Sequence, residues 1–482
     1  MSLNKEIEPR SKVICADVDG TVIATDLLYE SLLSAIKKSP SVLFRVPFWF
    51  LRGLPILKRE LAERSNLEVS HLPLNGEVVT YLQDRAKAGD TVVLASASDF
   101  GLVQALGERL GFVSEVFGTT PGSNLKGMAK ADLLCQKFGE GGFEYIGDSE
   151  ADFPVWNKAS KVGVVARSRD TTRKAQAEYP DVTVFRSTGT GKGFTWLRAL
   201  RVYQWLKNLL VFVPLILGHH LNAAQSWGAA LLALISFSLC ASGVYVINDL
   251  LDLDADRVHH RKKSRPFAAG TIPLLHGLLA APLLFLSGIS IAFLISTSFA
   301  SVLFVYLIFT TAYSFRLKQV VLVDIILLAM LYTIRIIAGG IASHVVVSQW
   351  LLGVSMFMFL SLACVKRFSE LLVLKEQNQR ETRGRGYTVE DLEQIAMFGA
   401  AGGYIAVLVL ALYTSSHDVV QLYKNPQVIW LVCPLVLYWI SRVWLLARRG
   451  KVHDDPLVFA MKDKTTYAVG ILVAAIMVAA KW

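Results

Sequence analysis

Apolar and polar positions along this chain change rhythm near residue 200. Before that point, short apolar runs such as "KVICA", "TVVLA" and "FEYIG" alternate with stretches in which apolar residues recur at helical spacing. Strands alternating with helices predict a parallel α/β sheet. From Trp205 onward the runs are long and almost wholly apolar. A bilayer core takes about 20 apolar residues of helix. Nine stretches qualify as candidates, at 204–219, 226–248, 274–296, 298–314, 320–342, 347–368, 394–414, 427–446 and 465–481. The first is short, and the fifth carries Arg335.

The expected architecture is therefore multidomain. An N-terminal Rossmann-like α/β domain occupies 1–190, with a helical cap over about 26–88. A linker follows at 191–200, and an all-α membrane domain of nine transmembrane helices fills 201–482.

Composition and charge refine this picture. The 482 residues are 53% hydrophobic and carry a formal charge of +10. The basic residues cluster between apolar runs, in loops 250–273, 315–319, 366–393 and 442–464, whereas the opposite face has only Lys424 and Lys481. That asymmetry orients a membrane protein with those loops and the N-terminal domain in the cytoplasm. It explains the positive charge without nucleic acid, which is not an expected partner. The N-terminus shows no charged-then-apolar leader, so no secretory signal is expected. Cys15, Cys135, Cys240, Cys364 and Cys433 have no paired spacing, which predicts neither a disulfide framework nor a zinc site and fits a reducing compartment.

Four pieces of the N-terminal region bear chemistry. "KVICADVDGT" ends an apolar run in Asp17, followed by Asp19; "DTVVLASAS" reaches Ser96; "LKGMAKADLL" supplies Lys126 and Lys130; "FEYIGDSEADF" supplies Asp148 and Asp152. A carboxylate attacks phosphorus only where cations cancel the repulsion, so a lysine and a metal site belong nearby. Strand-end Asp and Ser also cap helices, but that alternative does not account for all four pieces together. In order and spacing they resemble the haloacid dehalogenase (HAD) superfamily over about 1–185. The resemblance implies a phosphatase with Asp17 as nucleophile and Asp19 as general acid and then base. Ser96 and Lys130 would hold phosphoryl oxygens, and Asp17, Asp148 and Asp152 would hold Mg2+.

Within the cap, "SVLFRVPFWFLRGLPILK" is unusually apolar yet too short and too interrupted by Pro47, Arg52 and Pro55 to span. Two readings stand: cap core, or a segment lying in the bilayer interface with Arg45 and Arg52 at the headgroups. The linker "FRSTGTGKGFTW" reads as a flexible connection. Its GTGKG fails as a phosphate loop, because glycine follows Lys192 and Arg186 stands where an earlier glycine is required.

A second chemical centre follows the second apolar run, in "INDLLDLDADRVHHRKKSRPFAAG". Asp249, Asp252 and Asp256 are spaced by three and four, which on a continuous helix places them on one face. Three acids there repel unless a cation sits among them, and Mg2+ bridging to a diphosphate meets that need. A solvated loop ending a span is the bland alternative, disfavoured by the cost of acids near membrane depth. NDxxDxxxD, with nine spans, resembles the UbiA superfamily of intramembrane prenyltransferases. Members using a prenyl diphosphate carry a second aspartate-rich motif; here "YSFRLKQVVLVDIILLAMLYTIRIIAGG" has Asp324 alone.

The pieces "RVYQWLKNLLVF", "VKRFSEL", "RGRGYT" and "DDPLVFAMKD" extend a resemblance to the decaprenyl-phosphate phosphoribosyltransferase branch over about 198–482. It implies phosphoribosyl diphosphate as donor and a polyprenyl phosphate as acceptor, in the inner (cytoplasmic) membrane. Asp249, Asp252 and Asp256 would hold Mg2+ and the leaving diphosphate. Lys207, Asn208, Asn248, Arg265, Tyr313, Lys318, Lys366 and Arg367 are the candidate substrate contacts. Lys207 and Asn208 are expected where the first span meets the cytoplasm, and Asp324 with Arg335 as a buried pair. His219, His220, His259 and His260 receive no metal role.

A phosphoribosyl transfer leaves a 5-phosphate that the HAD domain is placed to remove. The expectation is a bifunctional enzyme making polyprenyl-phosphate-ribose. The competing expectation is an aromatic polyprenyltransferase of the quinone type with an accessory HAD domain.

Overall fold

The structure, a computed structural model, describes residues 12–187, 193–218, 223–378, 380, 385–415, 423–452 and 456–481. The sequence features at His219, His220, Arg383, Asp454, Asp455 and Gly189–Lys192 lie outside the described residues.

The N-terminal domain is built on six parallel strands in the order β3-β2-β1-β4-β5-β6. They are β1 Val13–Ala16, β2 Thr91–Asp99, β3 Glu115–Thr119, β4 Phe143–Gly147, β5 Lys161–Ala166 and β6 Thr183–Arg186. Central β1 reads "VICA" without polar alternation because both faces are covered. Ile14 and Ala16 face one layer with Val92 and Leu94, whereas Cys15 joins Val93, Tyr145 and Trp156 in the other.

Four helices fill the interval between β1 and β2: α1 Leu27–Lys38, α2 Val42–Leu51, α3 Leu54–Arg64 and α4 Gly76–Lys87. Asp26 starts α1 by accepting from the Leu28 N–H. The first three helices make a cap with its own core of Ala35, Val42, Trp49, Leu57 and Leu61. By contrast α4 sends Val78 and Leu82 into the core of the sheet. Crossover helices α5 Phe100–Leu110, α6 Met128–Phe138, α7 Phe153–Trp156 and α8 Arg169–Glu178 complete the domain.

The rest of the chain is helical: α9 Gly193–Ala199, a 3-10 segment Val202–Phe212, α10 Val213–Leu217, α11 Ala224–Leu251, α12 Leu253–Val258, α13 Leu274–Ile295 and α14 Thr297–Phe315. Then come α15 Val323–Ser343, α16 Gln349–Glu376, α17 Leu392–Thr414, α18 Val432–Arg448, α19 Pro456–Ala460 and α20 Lys464–Lys481. Among the described residues, eight helices are long and apolar enough to cross a bilayer, and a ninth crossing exists only as a broken one ahead of α11. The expected first span, 204–219, falls on the second arm of that broken crossing, Val202–Leu217, which is bent by 57° from Gly193–Ala199 across Leu200 and Arg201, the latter at φ 51°. Within that arm Pro214, which has no N–H to donate, sits where the 3-10 segment passes directly into α10. The other eight expected spans fall on α11, α13–α18 and α20.

The chain forms two compact units. One holds everything up to Arg201 together with Tyr245–Pro282, the stretch that contains the end of α11, α12 and the start of α13. The other holds Val202–Val244 and Leu283–Trp482. In that second unit, small residues permit close packing. A Cβ on Gly399 would lie 2.0 Å from the Trp444 ring. The Trp444 indole N–H donates to Ser361 Oγ at 3.0 Å, and that hydroxyl donates to the Gly399 carbonyl at 2.6 Å. The buried polar atoms of Trp444 and Ser361 are thereby paired, as a site without water requires.

Candidate active sites

The first centre lies beyond the carboxyl ends of β1, β2 and β4, where a parallel sheet presents its ligand site. Asp17 directly follows β1, and Lys130 of α6 reaches its Oδ1 at 3.0 Å. Lys130 is buried; its Nζ also donates to Tyr145 Oη at 2.7 Å and lies 3.5 Å from Asp152. Burial pulls the Lys130 ammonium down, but Asp17 and Asp152 outweigh it and raise its pKa. Burial pushes Asp17 up to about 7 against the pull of Lys130.

Asp19 is held on both oxygens. Oδ1 accepts from the Leu27 N–H at 2.7 Å, while Oδ2 accepts from Ser98 Oγ at 2.6 Å and Ser96 Oγ at 3.1 Å. Burial, with Asp26 nearby, pushes Asp19 up to about 6. Such a carboxyl suits proton transfer near neutral pH.

Asp148 follows β4, and burial raises its pKa well above the carboxylate range, with Asp152 and Asp17 adding to the push. Arg167 stands 3.5 Å from its Oδ2. Asp152 is spoken for: Oδ2 accepts from the Asp148 and Ser149 N–H groups and from Ser149 Oγ, and Oδ1 from Tyr145 Oη at 2.9 Å. It therefore braces the loop behind Asp148. Gly20, at φ +77°, is needed here because a Cβ would stand 2.1 Å from Asp148 Oδ2 and 2.3 Å from Arg167 Nη1.

One oxygen each from Asp17, Asp148 and Asp152 lies within 4.8 Å of the others. Three acids so placed, two of them with raised pKa, form a donor set that fits a hard divalent cation. Sequence reasoning missed Ser98, Lys58 and Arg167. Lys58 of α3 reaches the same region from the cap, donating to the Ala97 carbonyl at 2.5 Å and Asn124 Oδ1 at 3.0 Å. Burial lowers its pKa. The expected Lys126 is exposed.

The second centre lies where α11 ends. Asp249 is buried and ion-paired with Arg201 at 2.5 Å and with Arg265 Nη1 at 3.1 Å. The same Arg265 nitrogen is 2.6 Å from buried Asp256. Two acids of the row therefore converge on one cationic nitrogen. Asp252 does not join them, which corrects the one-face expectation. The helix breaks at Asp252, whose φ of −101° and ψ of 15° make it the cap residue between α11 and α12. Its carboxylate turns to Lys37 of the cap at 3.6 Å. The three acids of the row do not lie within 4.8 Å of one another. A guanidinium nitrogen thus occupies the position of positive charge between Asp249 and Asp256.

The second unit places the remaining expected contacts. Arg367 is wholly buried and committed to Asp324 at 2.5 Å and to Glu370. Tyr387 also donates to Asp324, at 2.5 Å. Asp324 and Arg335 are consequently not a pair. Arg335 instead donates to Asn208 Oδ1 at 2.7 Å, to Tyr306 Oη at 3.1 Å and to the Leu331 carbonyl. Asn208 is buried, its amide donating to Ser238 Oγ at 3.0 Å, which places it inside the bundle. Lys207 lies 5.7 Å over the Tyr332 ring. Lys318, in the short turn between α14 and α15, and Lys366 and Tyr313 are half-buried, as is Asn248 in the first unit.

The chain belongs to the UbiA prenyltransferase family, whose model matches residues 210–463. It is 37% identical to an uncharacterized protein, y4nM, of Sinorhizobium fredii, over 97% of this chain and 90% of that one. It is 29% identical to a decaprenyl-phosphate phosphoribosyltransferase of Mycolicibacterium smegmatis, over 56% of this chain and 86% of that one. Among solved structures, a UbiA homolog from Archaeoglobus fulgidus bound to DMAPP and Mg2+ is similar at TM-score 0.46, with 20% identity over 59% of this chain and 96% of that one. A substrate-bound phosphoserine phosphatase complex is similar at TM-score 0.27, with 15% identity over 36% of this chain and 94% of that one. The chain is a multi-pass integral membrane protein of the UbiA family carrying an N-terminal parallel α/β domain.

Proposed function

We propose that this protein transfers 5-phosphoribose from phosphoribosyl diphosphate to a polyprenyl phosphate, and that its HAD-like domain then removes the 5-phosphate. The product is polyprenyl-phosphate-ribose, made in the inner (cytoplasmic) membrane with both sites on the cytoplasmic face. The observation that carries this reading is the fate of Asp324. It is the single acid of the region where a prenyl-diphosphate enzyme needs a second metal-binding motif, and Arg367 and Tyr387 consume it. One acidic centre, at Asp249 and Asp256, remains for one diphosphate. Relatives named decaprenyl-phosphate phosphoribosyltransferase support the same choice.

In the transferase step, a lipid phosphate oxygen attacks ribose C1 as the C1–O bond to diphosphate breaks. Asp249 and Asp256 would hold Mg2+, which supplies the charge that a departing diphosphate requires. Arg265, released from the two acids, would turn to phosphate oxygens, where a planar guanidinium binds well. Lys318 and Lys366 are the proposed contacts for the remaining phosphates.

In the phosphatase step, Asp17 attacks phosphorus while Lys130, 3.0 Å away, offsets the like charge. Asp19, with its pKa near 6, gives a proton to the leaving 5-oxygen and later takes one from the water that hydrolyses the aspartyl-phosphate. Asp17 and Asp148 would hold Mg2+, with Asp152 bracing them. Tethering both sites in one chain raises the effective concentration of the second for the first one's product.

The test is incorporation of label into lipid by purified protein in vesicles containing polyprenyl phosphate. Label from phosphoribosyl diphosphate is expected to enter lipid, and to stop doing so in Asp249→Ala. Transfer from a prenyl diphosphate to an aromatic acceptor, with none from phosphoribosyl diphosphate, would overturn the proposal.

A further inference from the structure

Helix α2 is apolar on almost every side. Val42 and Trp49 point into the cap core, yet Leu43, Phe44, Phe48, Phe50 and Leu51 are exposed, Phe44 at 88% and Leu51 at 83%. A helix apolar all round is normally buried. This one is ten residues long and cannot span a bilayer.

Its surroundings identify the missing cover. Lys37, five residues before α2 begins, is ion-paired with Asp252, the first residue after spanning helix α11. Two turns earlier on α1, Glu30 is gripped by Arg257 of α12. A Cβ on Gly270, shortly before α13, would stand 2.7 Å from the Ala24 carbonyl, so this stretch of loop also lies against the start of the cap. The cap and the places where α11 and α13 leave the membrane therefore belong to one compact unit.

Charge points the same way. Between Glu30 and Glu60 the chain has no acid, but it has Lys37, Lys38, Arg45, Arg52, Lys58 and Arg59. Arg45 and Arg52 flank the aromatic face, and the Arg52 guanidinium lies 4.6 Å over the Phe48 ring. A long cation whose stem covers an aromatic surface while its head stays wet is arranged for a headgroup layer. Basic residues beside an aromatic face match an anionic lipid surface.

We propose that α2 lies in the headgroup layer of the same bilayer that α11 and α13 cross, docking the phosphatase cap on anionic lipid. The inference does not depend on the reaction assigned to either site. On the helix that follows, Lys58 donates to the Ala97 carbonyl, so the same cap reaches the carboxyl-terminal part of β2.

The experiment uses the full chain in vesicles of phosphatidylcholine and phosphatidylglycerol. Spin labels are placed singly at Phe44→Cys, Phe48→Cys and Leu51→Cys, with Glu108→Cys and Asp170→Cys as controls on other exposed helices of the domain and unsubstituted protein to read native cysteine background. Collisions with oxygen should exceed those with a water-soluble nickel chelate several-fold at 44, 48 and 51, and the ratio should invert at 108 and 170. Equal ratios at all five positions would overturn the proposal. So would a short dipolar distance between the labels of two molecules at position 44, because the cover would then be a second copy of the chain.

Discussion

Arg257 grips Glu30 with both terminal guanidinium nitrogens, at 3.1 and 2.5 Å, across 227 residues of sequence. Both side chains are almost wholly buried, and Glu30 also accepts from Thr25 Oγ1 at 2.6 Å. The contact fastens α1 of the cap to α12, the helix that carries Asp256. Removing one partner strands the other as a buried charge, which typically costs about 3–5 kcal/mol. Arg257→Ala is therefore expected to lower thermal stability clearly, and Arg257→Met with Glu30→Gln to recover much of the loss. A double-mutant cycle on the purified protein measures the coupling. Additive losses would show that the pair contributes nothing as a pair.

Ser98 sets the proton affinity of Asp19. Its hydroxyl donates to the carboxylate at 2.6 Å, which favours the charged form, while burial has already pushed the group up to about 6. Hydrogen bonds to charged groups contribute about 1.5–3 kcal/mol, so Ser98→Ala should move the Asp19 pKa upward by roughly one unit. Water activation needs Asp19 deprotonated. The acid limb of the phosphatase pH profile should shift to higher pH by that amount, and an unmoved limb would remove Asp19 from the role of base.

Asp17 and Asp148 make metal-free stability depend on pH. Both have folded-state pKa values above the unfolded ones, Asp17 at about 7. The folded state then binds more protons than the unfolded state as pH rises from about 4 through about 7, and its stability falls over that window. With chelator present, the melting temperature of the N-terminal domain should drop between pH 5 and pH 7.5. Added Mg2+ should restore it, by more at the higher pH. A melting temperature that rises over this range in chelator would contradict the burial of these acids.

Several of these relationships were legible in the sequence and others were not, for local reasons. Asp17, Asp19 and Asp148 follow apolar strands directly, so the pattern that builds the sheet also delivers them to one edge, and Lys130 joins them from α6. Eight spans were legible because each is a long, mostly apolar run; the ninth bends at Leu200 and Arg201, outside the apolar run that signalled it. Asp252 misled because a spacing of three and four assumes a continuous helix, whereas the helix breaks there and the carboxylate lies 3.6 Å from Lys37, far away in the chain. Partners such as Arg367 with Asp324, or Arg335 with Asn208, are separated by 43 and 127 residues and leave no local trace. Ser98 and Lys58 went unrecognised because a neighbouring serine and a cap lysine look like ordinary surface residues until the loops close.

Arg265 is predicted to serve both chemistry and resting structure at the second centre. Its Nη1 lies 3.1 Å from Asp249 and 2.6 Å from Asp256. Arg265→Gln leaves two buried acids short of their shared cation. Apparent Mg2+ affinity should rise, while the transfer rate at saturating metal should fall by about 10-fold or more, since a charge-assisted contact is worth roughly 1.5–3 kcal/mol. Titrating Mg2+ in the transfer assay separates the two effects. A variant with weaker metal affinity and an unchanged rate would place Arg265 outside the reaction.

The central claim is that one chain transfers a phosphorylated pentose to a lipid and then dephosphorylates it. Mass spectrometry of the lipid products of the intact protein and of Asp17→Asn tests this most directly. The expected result is polyprenyl-phosphate-ribose from the intact protein and its 5-phosphorylated precursor from the variant, with phosphatase turnover down by roughly 10⁴-fold or more, the order seen when a nucleophile is removed. Identical lipid products from both proteins, or no pentose on lipid from either, would contradict the account.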